Sequence, residues 1–382
     1  MVRGLYRILM VMLVVSFLAA CSNGERSQPT ATTAPTTTSM AASTPFPSPT
    51  PSTASTTTPR PMANATTAAA SPTRNTTATI ATTTVTTPIP TPAPATPTAL
   101  PVTITDATGK QVTVQDVSRI VPVNGDIAEI VWSLGLGDRI VGVDTSATYP
   151  PDLLKKLPHI GYQRALSAEG ILSLKPTVVI GTPLAGPAQV LDQVRAAGIP
   201  VVIVENPTSI DAPMVKIRQV ARALGVPDRG EALARQVEQE IKDAQALAAR
   251  ATSHPRAVYL HSPGSAHEPQ VAGTNTAAHV MIEAAGAIDA AAAAGIQGYK
   301  TLTAEAMTAA APDYILIFTT DLEATGGIDG LLQLPGIAQT PAGQHRAVLA
   351  YDGQFLLGMG PRTGQALRTL VLALHPELGK QS

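Results

Sequence analysis

The sequence predicts an α/β protein of two lobes, each built on a mainly parallel sheet and joined to the other by a long rigid helix. Short apolar strands alternate with helices over 119–204 and again over 257–374, which is the pattern of parallel sheets. Between them, 209–250 has an almost unbroken helical pattern. Residues 161–181 and 298–318 repeat one pattern: Gly-Tyr, Leu-Ser/Thr-Ala-Glu, a helical stretch, a Pro and an apolar strand. The copies lie far apart, which indicates two similar lobes rather than a tandem array. A ligand held between two lobes is the first functional hypothesis.

The first 20 residues have the features of a lipoprotein signal peptide. Arg3 and Arg7 precede an apolar run, 8–18, that is too short for a comfortable membrane span. Small residues then lead to Cys21, where we expect cleavage and acylation. Lipid chains would anchor the protein to the outer face of the cell membrane. Cys21 is the only cysteine, so the chain has no disulfide framework and no cysteine metal site. The alternative is an ordinary signal peptide with an incidental cysteine.

Residues 21–100 are predicted to form a disordered tether. They are rich in Thr, Pro, Ala and Ser and contain few large apolar side chains. Such a segment buries too little surface to offset the entropy of ordering it. A flexible coil of this length spans roughly 50 Å, and an extended polyproline form about 250 Å. The tether would hold the folded part away from the membrane.

The first lobe is predicted over 101–207. Two alternating apolar stretches around Thr108-Gly109 indicate a β-hairpin. Ser167 is the expected N-cap of a helix whose first turn carries Glu169. The remaining predicted elements are strands at 119–123, 140–143, 177–180 and 200–204 and helices at 126–134, 168–174 and 188–197.

Connecting helices are predicted over 208–254, with a break near Gly225-Val226-Pro227. The part after the break, 228–250, is rich in Ala, Glu, Gln and Arg, which favour helices. At 1.5 Å per residue it spans about 35 Å. A helix of this length makes the connection between the lobes rigid.

The second lobe is predicted over 255–382. A strand at 257–260 ends in a loop that contains His261, and Tyr299 precedes the helix at 303–311. The segment 326–339 is turn-rich. The other predicted elements are strands at 271–273, 314–318 and 348–350 and helices at 276–285 and 363–374.

Three side chains are placed where a ligand would bind. Ligands of open parallel sheets lie beyond the carboxyl ends of the strands. Tyr162 and Arg164 lie in a loop before a helix, and His261 directly follows a strand. Tyrosinate and histidine are axial ligands of haem iron, and Arg164 would favour the phenolate or pair with a carboxylate such as a haem propionate. The alternative is that Tyr162 packs at a lobe edge, Arg164 is solvated and His261 bonds to nearby backbone. His159 and His267 are weaker candidates.

Composition and motifs exclude several other classes. The net charge is −1 with no basic run, and aromatic residues make up 3% of the chain, which argues against nucleic-acid binding. The sequence contains no Gly-X-Ser-X-Gly, phosphate-loop or His-Glu-X-X-His motif, so we expect no enzyme. A zinc or manganese site would need several converging histidines and carboxylates, and only His261 and His267 lie close together.

Several segments resemble the haemin-binding lipoproteins of bacterial ABC importers. These belong to the helix-linked class III of periplasmic-type binding proteins, which also carry siderophores and cobalamin. The resemblance covers about 102–376, and its most specific piece for haem is Tyr-X-Arg followed by Leu-Ser-Ala-Glu-Gly. The resembling segments are NGDIAEIVWSLGLGDRIVGVD (124–144), GYQRALSAEGILSLKPTVVI (161–180), GYKTLTAEAMTAAAPDYIL (298–316), GGIDGLLQLPGIAQTPAG (326–343) and FLLGMGPRTGQAL (355–367).

The resemblance implies two Rossmann-like lobes and haem as the transported ligand. By it, Tyr162 is an axial iron ligand supported by Arg164, and His261 stands where the second lobe supplies another ligand. The loop HSPGSAHEP departs from the Gly-rich loops expected there. His267, Tyr259 or Tyr299 are therefore alternatives to His261, as is a single protein ligand.

Glu169 and Glu305 are the matching acids of the two repeats. Acids at helix N-termini are favourable in themselves, which is sufficient to explain both. In the resembling family an acid on each lobe docks onto arginines of a permease dimer, and one acid per lobe suits a partner with two-fold symmetry. The helix start at 126–129 is a weaker docking candidate.

The sequence thus predicts a monomeric, extracytoplasmic solute-binding lipoprotein that delivers haem to an ABC permease and its ATPase. The alternative within the class is a ferric-siderophore or cobalamin binder. From other classes, a hydrolase or a cell-wall adhesion module on a stalk is the alternative.

Overall fold

The computed structural model describes residues 91–262 and 268–381. The predicted signal peptide, Cys21, most of the predicted tether and His267 lie outside these ranges. Within them, no helix is both long and apolar enough to cross a membrane.

The first lobe contains a three-stranded parallel sheet in the order β3-β6-β7. All three strands are buried along their whole length, because helices cover both faces of a parallel sheet. An antiparallel hairpin, β1 with β2, precedes it. The elements are β1 (Val102–Thr105), β2 (Gln111–Val114), β3 (Ile120–Val123), α1 (Gly125–Val131), α2 (Pro151–Leu154), β4 (Gly161–Tyr162), β5 (Ala165–Leu166), α3 (Ala168–Ser173), β6 (Val178–Gly181), α4 (Ala188–Ala196) and β7 (Val201–Ile203). A π-helical turn at Trp132–Leu136 and a 3₁₀ turn at Gly137–Arg139 follow α1.

Two helices connect the lobes, α5 (Ala212–Ala223) and α6 (Pro227–Ala248). Gly225 has a φ of 74° and separates them, and a proline begins α6, where its missing N–H costs nothing. The 22 residues of α6 span about 33 Å. Its buried face carries Ala234, Val237, Ile241 and Ala244, so the connector is packed along its length.

The second lobe contains a larger, mixed sheet in the order β11-β9-β8-β12-β13, with β10 beside β8. Strands β8, β12 and β13 are parallel, whereas β9 and β11 are antiparallel to their neighbours. The elements are β8 (Arg256–His261), β9 (Gln270–Ala272), α7 (Ala277–Ala284), β10 (Ile288–Asp289), α8 (Ala290–Ala293), β11 (Tyr299–Thr301), α9 (Ala304–Ala310), β12 (Tyr314–Phe318), α10 (Thr319–Ala324), α11 (Gly327–Leu331), α12 (Pro341–His345), β13 (Val348–Tyr351), α13 (Gly353–Leu357) and α14 (Thr363–Leu374), with 3₁₀ turns at Ile337–Gln339 and Leu378–Gln381.

These elements confirm the predicted fold class: two α/β lobes with mainly parallel sheets, joined by a long helix. Two local expectations were wrong. The predicted strand at 140–143 forms only single bridges, Ile140 with Ile120 and Val143 with His159. Its two ends bond to different partners, since Val141 donates to the Ile120 carbonyl and Val143 to the Pro158 carbonyl.

The predicted tether also ends earlier than residue 100. The Arg229 guanidinium donates to the carbonyls of Ala93 at 2.6 Å and Pro94 at 3.1 Å. Ala95 is buried and donates its N–H to the Gly135 carbonyl at 2.8 Å. An extended Pro-rich backbone keeps its carbonyls free, which lets it bind to the lobe in this way.

A buried polar network joins the first lobe to the loop around α13 in the second. Arg362 forms a bidentate pair with Glu129, from Nε to Oε1 and from Nη2 to Oε2, both at 2.9 Å. Gln354 Nε2 donates to Glu129 Oε2 at 2.7 Å. The guanidinium also lies 3.9 Å from the centre of the Tyr149 ring. Burial raises the pKa of Glu129, and Arg362 and Gln354 oppose that rise.

Asp126 extends this network toward the connector. Lys216 of α5 donates to Asp126 Oδ2 at 2.5 Å and to the Gly358 carbonyl at 2.9 Å, and only 1% of the Lys216 side chain is exposed. The expectation that the 126–129 helix start contributes to docking is therefore wrong. Both acids are buried, and each pairs with a cation, Glu129 with Arg362 and Asp126 with Lys216.

Candidate functional site

The Tyr-X-Arg turn of the first lobe projects from a two-residue hairpin. Tyr162 on β4 pairs with Ala165 on β5, and Gly161 pairs with Leu166. Gly161 has a φ of 96°, and a Cβ there would lie 3.1 Å from the Ala165 carbonyl oxygen, so this turn requires glycine. Tyr162 is 46% exposed, and Arg164 is also exposed. The hairpin presents both predicted side chains to solvent.

Gln163, the residue between Tyr162 and Arg164, is held against the lobe instead. Gln163 is half-buried, and its Oε1 accepts a hydrogen bond from Nδ2 of the buried Asn124. The Gln163 carbonyl accepts from the Gly186 N–H at 2.8 Å, and the Gly161 carbonyl from the Thr145 N–H at 2.9 Å. The turn is thus fastened to three separate parts of the lobe.

His261 lies at the carboxyl end of β8, where the sequence places it. Its Nδ1 is 2.7 Å from Asp321 Oδ2, which also accepts the Ser262 N–H at 2.9 Å. Asp321 lies in the first turn of α10 and is 5% exposed. A carboxylate only accepts hydrogen bonds, so Nδ1 is the donor to Asp321, and in the neutral imidazole the lone pair lies on Nε2. Histidines that bind metals are usually oriented in this way.

An aromatic cluster surrounds His261. The Tyr299 and Phe318 rings lie 6.4 Å and 6.1 Å from the imidazole, centre to centre. Tyr259 lies 5.2 Å from Phe318 and 6.5 Å from Tyr299 and is only 1% exposed. Burial raises the pKa of Tyr259 far above its usual range. Tyr259 is therefore a core residue beneath the cluster, whereas Tyr299 is 45% exposed.

Tyr299 of the second lobe lies near Tyr162 and Arg164 of the first. Withdrawal from water raises the pKa of Tyr299, the Arg164 charge opposes this rise, and the Tyr162 phenol adds to it. Both influences come from the opposite lobe, so Tyr299 lies within electrostatic reach of Tyr162 and Arg164. Tyr299 also lies 6.4 Å from His261, centre to centre, so it is near candidate residues of both lobes.

The two repeat acids are both exposed at first-turn positions, Glu169 of α3 and Glu305 of α9. The caps are equivalent: Ser167 Oγ accepts the Gly170 N–H at 3.3 Å, and Thr303 Oγ1 accepts the Ala306 N–H at 3.1 Å. Neither carboxylate forms an ion pair within the described ranges.

The structure places the remaining candidates elsewhere. His159 is exposed and forms the bridge to Val143 just before β4. His267 and Cys21 lie outside the described residues. Among the residues at 91–262 and 268–381, no group of three or more His, Cys, Asp or Glu side chains is arranged to hold a metal ion.

Sequence reasoning missed Asp321, Asn124 and Gln163. Asp321 follows the strand β12 by three residues, and that position at a strand end was the available signal. No local sequence feature distinguishes Asn124, because the partners of its side chain lie 39 and 58 positions away in the chain.

Comparison with known proteins identifies the family. Residues 120–355 match the family described as periplasmic binding protein. The chain belongs to the periplasmic binding protein family. The two α/β lobes joined by a long helix agree with this family.

Two of the following three similar proteins are described by their ligand. The periplasmic heme-binding protein RhuT from Roseiflexus sp. RS-1, in apo form, is 56% identical with a TM-score of 0.67, and the match covers 69% of this chain and 100% of that one. The uncharacterized ABC transporter substrate-binding lipoprotein YvrC of Bacillus subtilis (strain 168) is 28% identical over 74% of this chain and 88% of that protein. The vitamin B12-binding protein of Yersinia pestis (strain Pestoides F) is 30% identical over 38% of this chain and 51% of that protein.

Proposed function

We propose that this periplasmic binding protein binds haem between its lobes and delivers it to an ABC permease and the associated ATPase. One observation carries the proposal: the first lobe presents an exposed Tyr-X-Arg turn, and the second lobe presents His261, whose Nδ1 is hydrogen-bonded to Asp321. The 56% identity to a protein described as heme-binding supports it.

The iron would be held from both lobes. Tyr162 supplies a phenolate, an anionic oxygen ligand suited to ferric iron. Arg164 lies two residues away and stabilises that anion or pairs with a propionate. His261 supplies Nε2 from the opposite wall, and Asp321 keeps its ring in the ligating tautomer.

The faces of the porphyrin must pack against apolar side chains, and both lobes supply them. Phe318 and Tyr299 lie around His261 on the second lobe. Leu184 follows β6 on the first lobe and is 38% exposed. Burying such side chains against the macrocycle gains about 25 cal/mol per Å² of apolar surface.

The N-terminal segment accounts for the location of the protein, and the connecting helix and the two repeat acids account for the release of haem. Acylated Cys21 and the tether would hold a monomeric protein at the outer face of the membrane. The packed α6 permits only small movements of the lobes. Release therefore depends on a permease dimer that engages Glu169 and Glu305 and separates the lobes, which weakens one iron ligand.

A cobalamin or ferric-siderophore ligand is the second candidate, favoured by the similarity to a vitamin B12-binding protein. Absorbance titration distinguishes the ligands. Haemin should give a saturable, shifted Soret band, and cyanocobalamin or a ferric siderophore in excess should not displace it. The haem proposal fails if haemin causes no spectral change while either competitor quenches the fluorescence of Trp132.

A further inference from the structure

Gln163 lies between Tyr162 and Arg164, and its contacts fix the orientation of both. Gln163 and Arg164 form the turn between β4 and β5. Tyr162 and Arg164 are exposed, whereas Gln163 is half-buried and bonded to Asn124. Because Gln163 lies between them in the chain, the bond that holds its side chain against the lobe also fixes the backbone that carries its two neighbours.

Asn124 is buried and hydrogen-bonded to three other segments of the first lobe. Its Oδ1 accepts the Thr182 N–H at 2.8 Å and the Thr182 hydroxyl at 3.1 Å, while Nδ2 donates to Gln163. Its own N–H donates to Asp144 Oδ1 at 3.0 Å. Only 2% of Asn124 is exposed. This one amide thus connects the ends of β3 and β6 to the Tyr162 hairpin.

The backbone of Asn124 is held in an unfavourable conformation. Its φ is 125° and its ψ is 135°, a region that residues other than glycine rarely occupy. Such conformations persist where the surrounding structure determines them, and they concentrate at functional sites. Glycine would adopt this backbone more easily, so an asparagine here indicates a requirement for its amide.

We propose that Asn124 and Gln163 are positioning residues that set the direction of Tyr162 and Arg164 for iron binding. This inference rests on the proposed function, in which Tyr162 is an iron ligand. Neither residue touches the ligand, and their effect passes through the hairpin.

The test compares variants that break the bond with variants that keep it. Asn124→Gly removes the amide but suits the backbone, and Gln163→Met removes the acceptor at similar length. Gln163→Glu retains an oxygen that accepts from Asn124. Asn275→Gly is the matched control, since Asn275 is an exposed asparagine of the second lobe with a φ of 64°.

Two readouts are needed, on the full chain loaded with haemin: the rate of haem loss to a scavenger apoprotein, and the tyrosinate-to-iron charge-transfer band. Asn124→Gly and Gln163→Met should each release haem roughly 10- to 100-fold faster and weaken the band. The double variant should be no worse than the more affected single variant, because both break one link. Gln163→Glu and Asn275→Gly should resemble the unmodified protein, and urea midpoints should show that every variant is folded.

Three outcomes would overturn the inference. Unchanged haem loss in both bond-breaking variants, while Tyr162→Phe removes the band, would refute the positioning role alone. If Tyr162→Phe has the band and the haem-loss rate of the unmodified protein, the ligand assignment is refuted, and this inference is refuted with it. Faster loss that merely follows a lower urea midpoint would show a structural role only.

Discussion

His261 and His279 are held by buried aspartates in the same manner, but they occupy different elements of the second lobe. Their Nδ1 atoms lie 2.7 Å from Asp321 and 2.9 Å from Asp289, and their side chains are 34% and 28% exposed. His261 ends the strand β8, whereas His279 lies within α7. The chemistry of the two rings is the same, so position alone separates a candidate ligand from a structural histidine.

This pair gives a matched experiment on the second axial ligand. His261→Ala should accelerate haem loss, since it removes Nε2, and Asp321→Asn should do so by about tenfold, since it weakens the orientation of the ring. His279→Ala should leave the rate unchanged. Stopped-flow transfer of haem to a scavenger apoprotein measures all three, and equal rates for His261→Ala and His279→Ala would assign the second ligand elsewhere.

At the scale of elements, the local sequence pattern predicted the helices and strands more accurately than it predicted the site. The final helix was predicted at 363–374 and is observed at Thr363–Leu374, because its apolar periodicity is strong. The predicted strand at 140–143 was wrong because its two ends bridge to different segments, Ile140 to Ile120 and Val143 to His159, so no continuous ladder forms. Tyr162, Arg164 and His261 could be placed from their positions beside helices and strands. Asn124 could not, because its contacts exist only in the folded lobe, whereas the one signal for Asp321 was its position three residues after β12.

The helices α3 and α9 are expected to form the permease docking face. Glu169→Arg with Glu305→Arg reverses one exposed charge on each lobe, and it should abolish haem uptake by cells while haemin binding stays intact. Asp228→Arg with Glu205→Arg is the control, since it changes the net charge equally at two other exposed acids. If the control pair impairs uptake as severely, then charge in general, rather than these two helices, controls docking.

At the scale of the whole molecule, the buried network around Glu129 and Arg362 fixes one lobe against the other. The FLLGMGPRTG segment contributes Arg362 and the Gly358 carbonyl to it. These contacts, together with the packed α6, favour a protein whose lobes move little when the ligand binds.

Arg362→Met should destabilise the protein by about 3–5 kcal/mol at neutral pH, because it leaves the Glu129 carboxylate buried without its cation. Burial already raises the pKa of Glu129, and loss of the arginine raises it further. A carboxyl whose pKa is higher in the folded state holds its proton more tightly there than in the unfolded chain. The free energy of unfolding therefore falls as pH rises above the ordinary glutamate pKa of about 4.3.

The penalty of Arg362→Met should accordingly be smallest near pH 4 and grow toward neutrality in urea unfolding curves. Adding Glu129→Gln should remove that pH dependence. Arg218→Met is the control, since Arg218 and Glu231 form an exposed pair worth at most about 1 kcal/mol. A penalty of Arg362→Met that does not vary with pH would show that the ionised Glu129 is not its cause.

The central claim is that haem iron is bound through Tyr162. The most direct measurement is the absorbance spectrum and haem-loss rate of the haemin complex of Tyr162→Phe beside that of Tyr314→Phe. Tyr314 begins β12 and lies at the end of that strand opposite Phe318, so its substitution controls for loss of a phenol. Tyr162→Phe should shift and weaken the Soret band and release haem at least about tenfold faster, while Tyr314→Phe should match the unmodified protein. A Tyr162→Phe complex with the unmodified spectrum and rate would contradict the account.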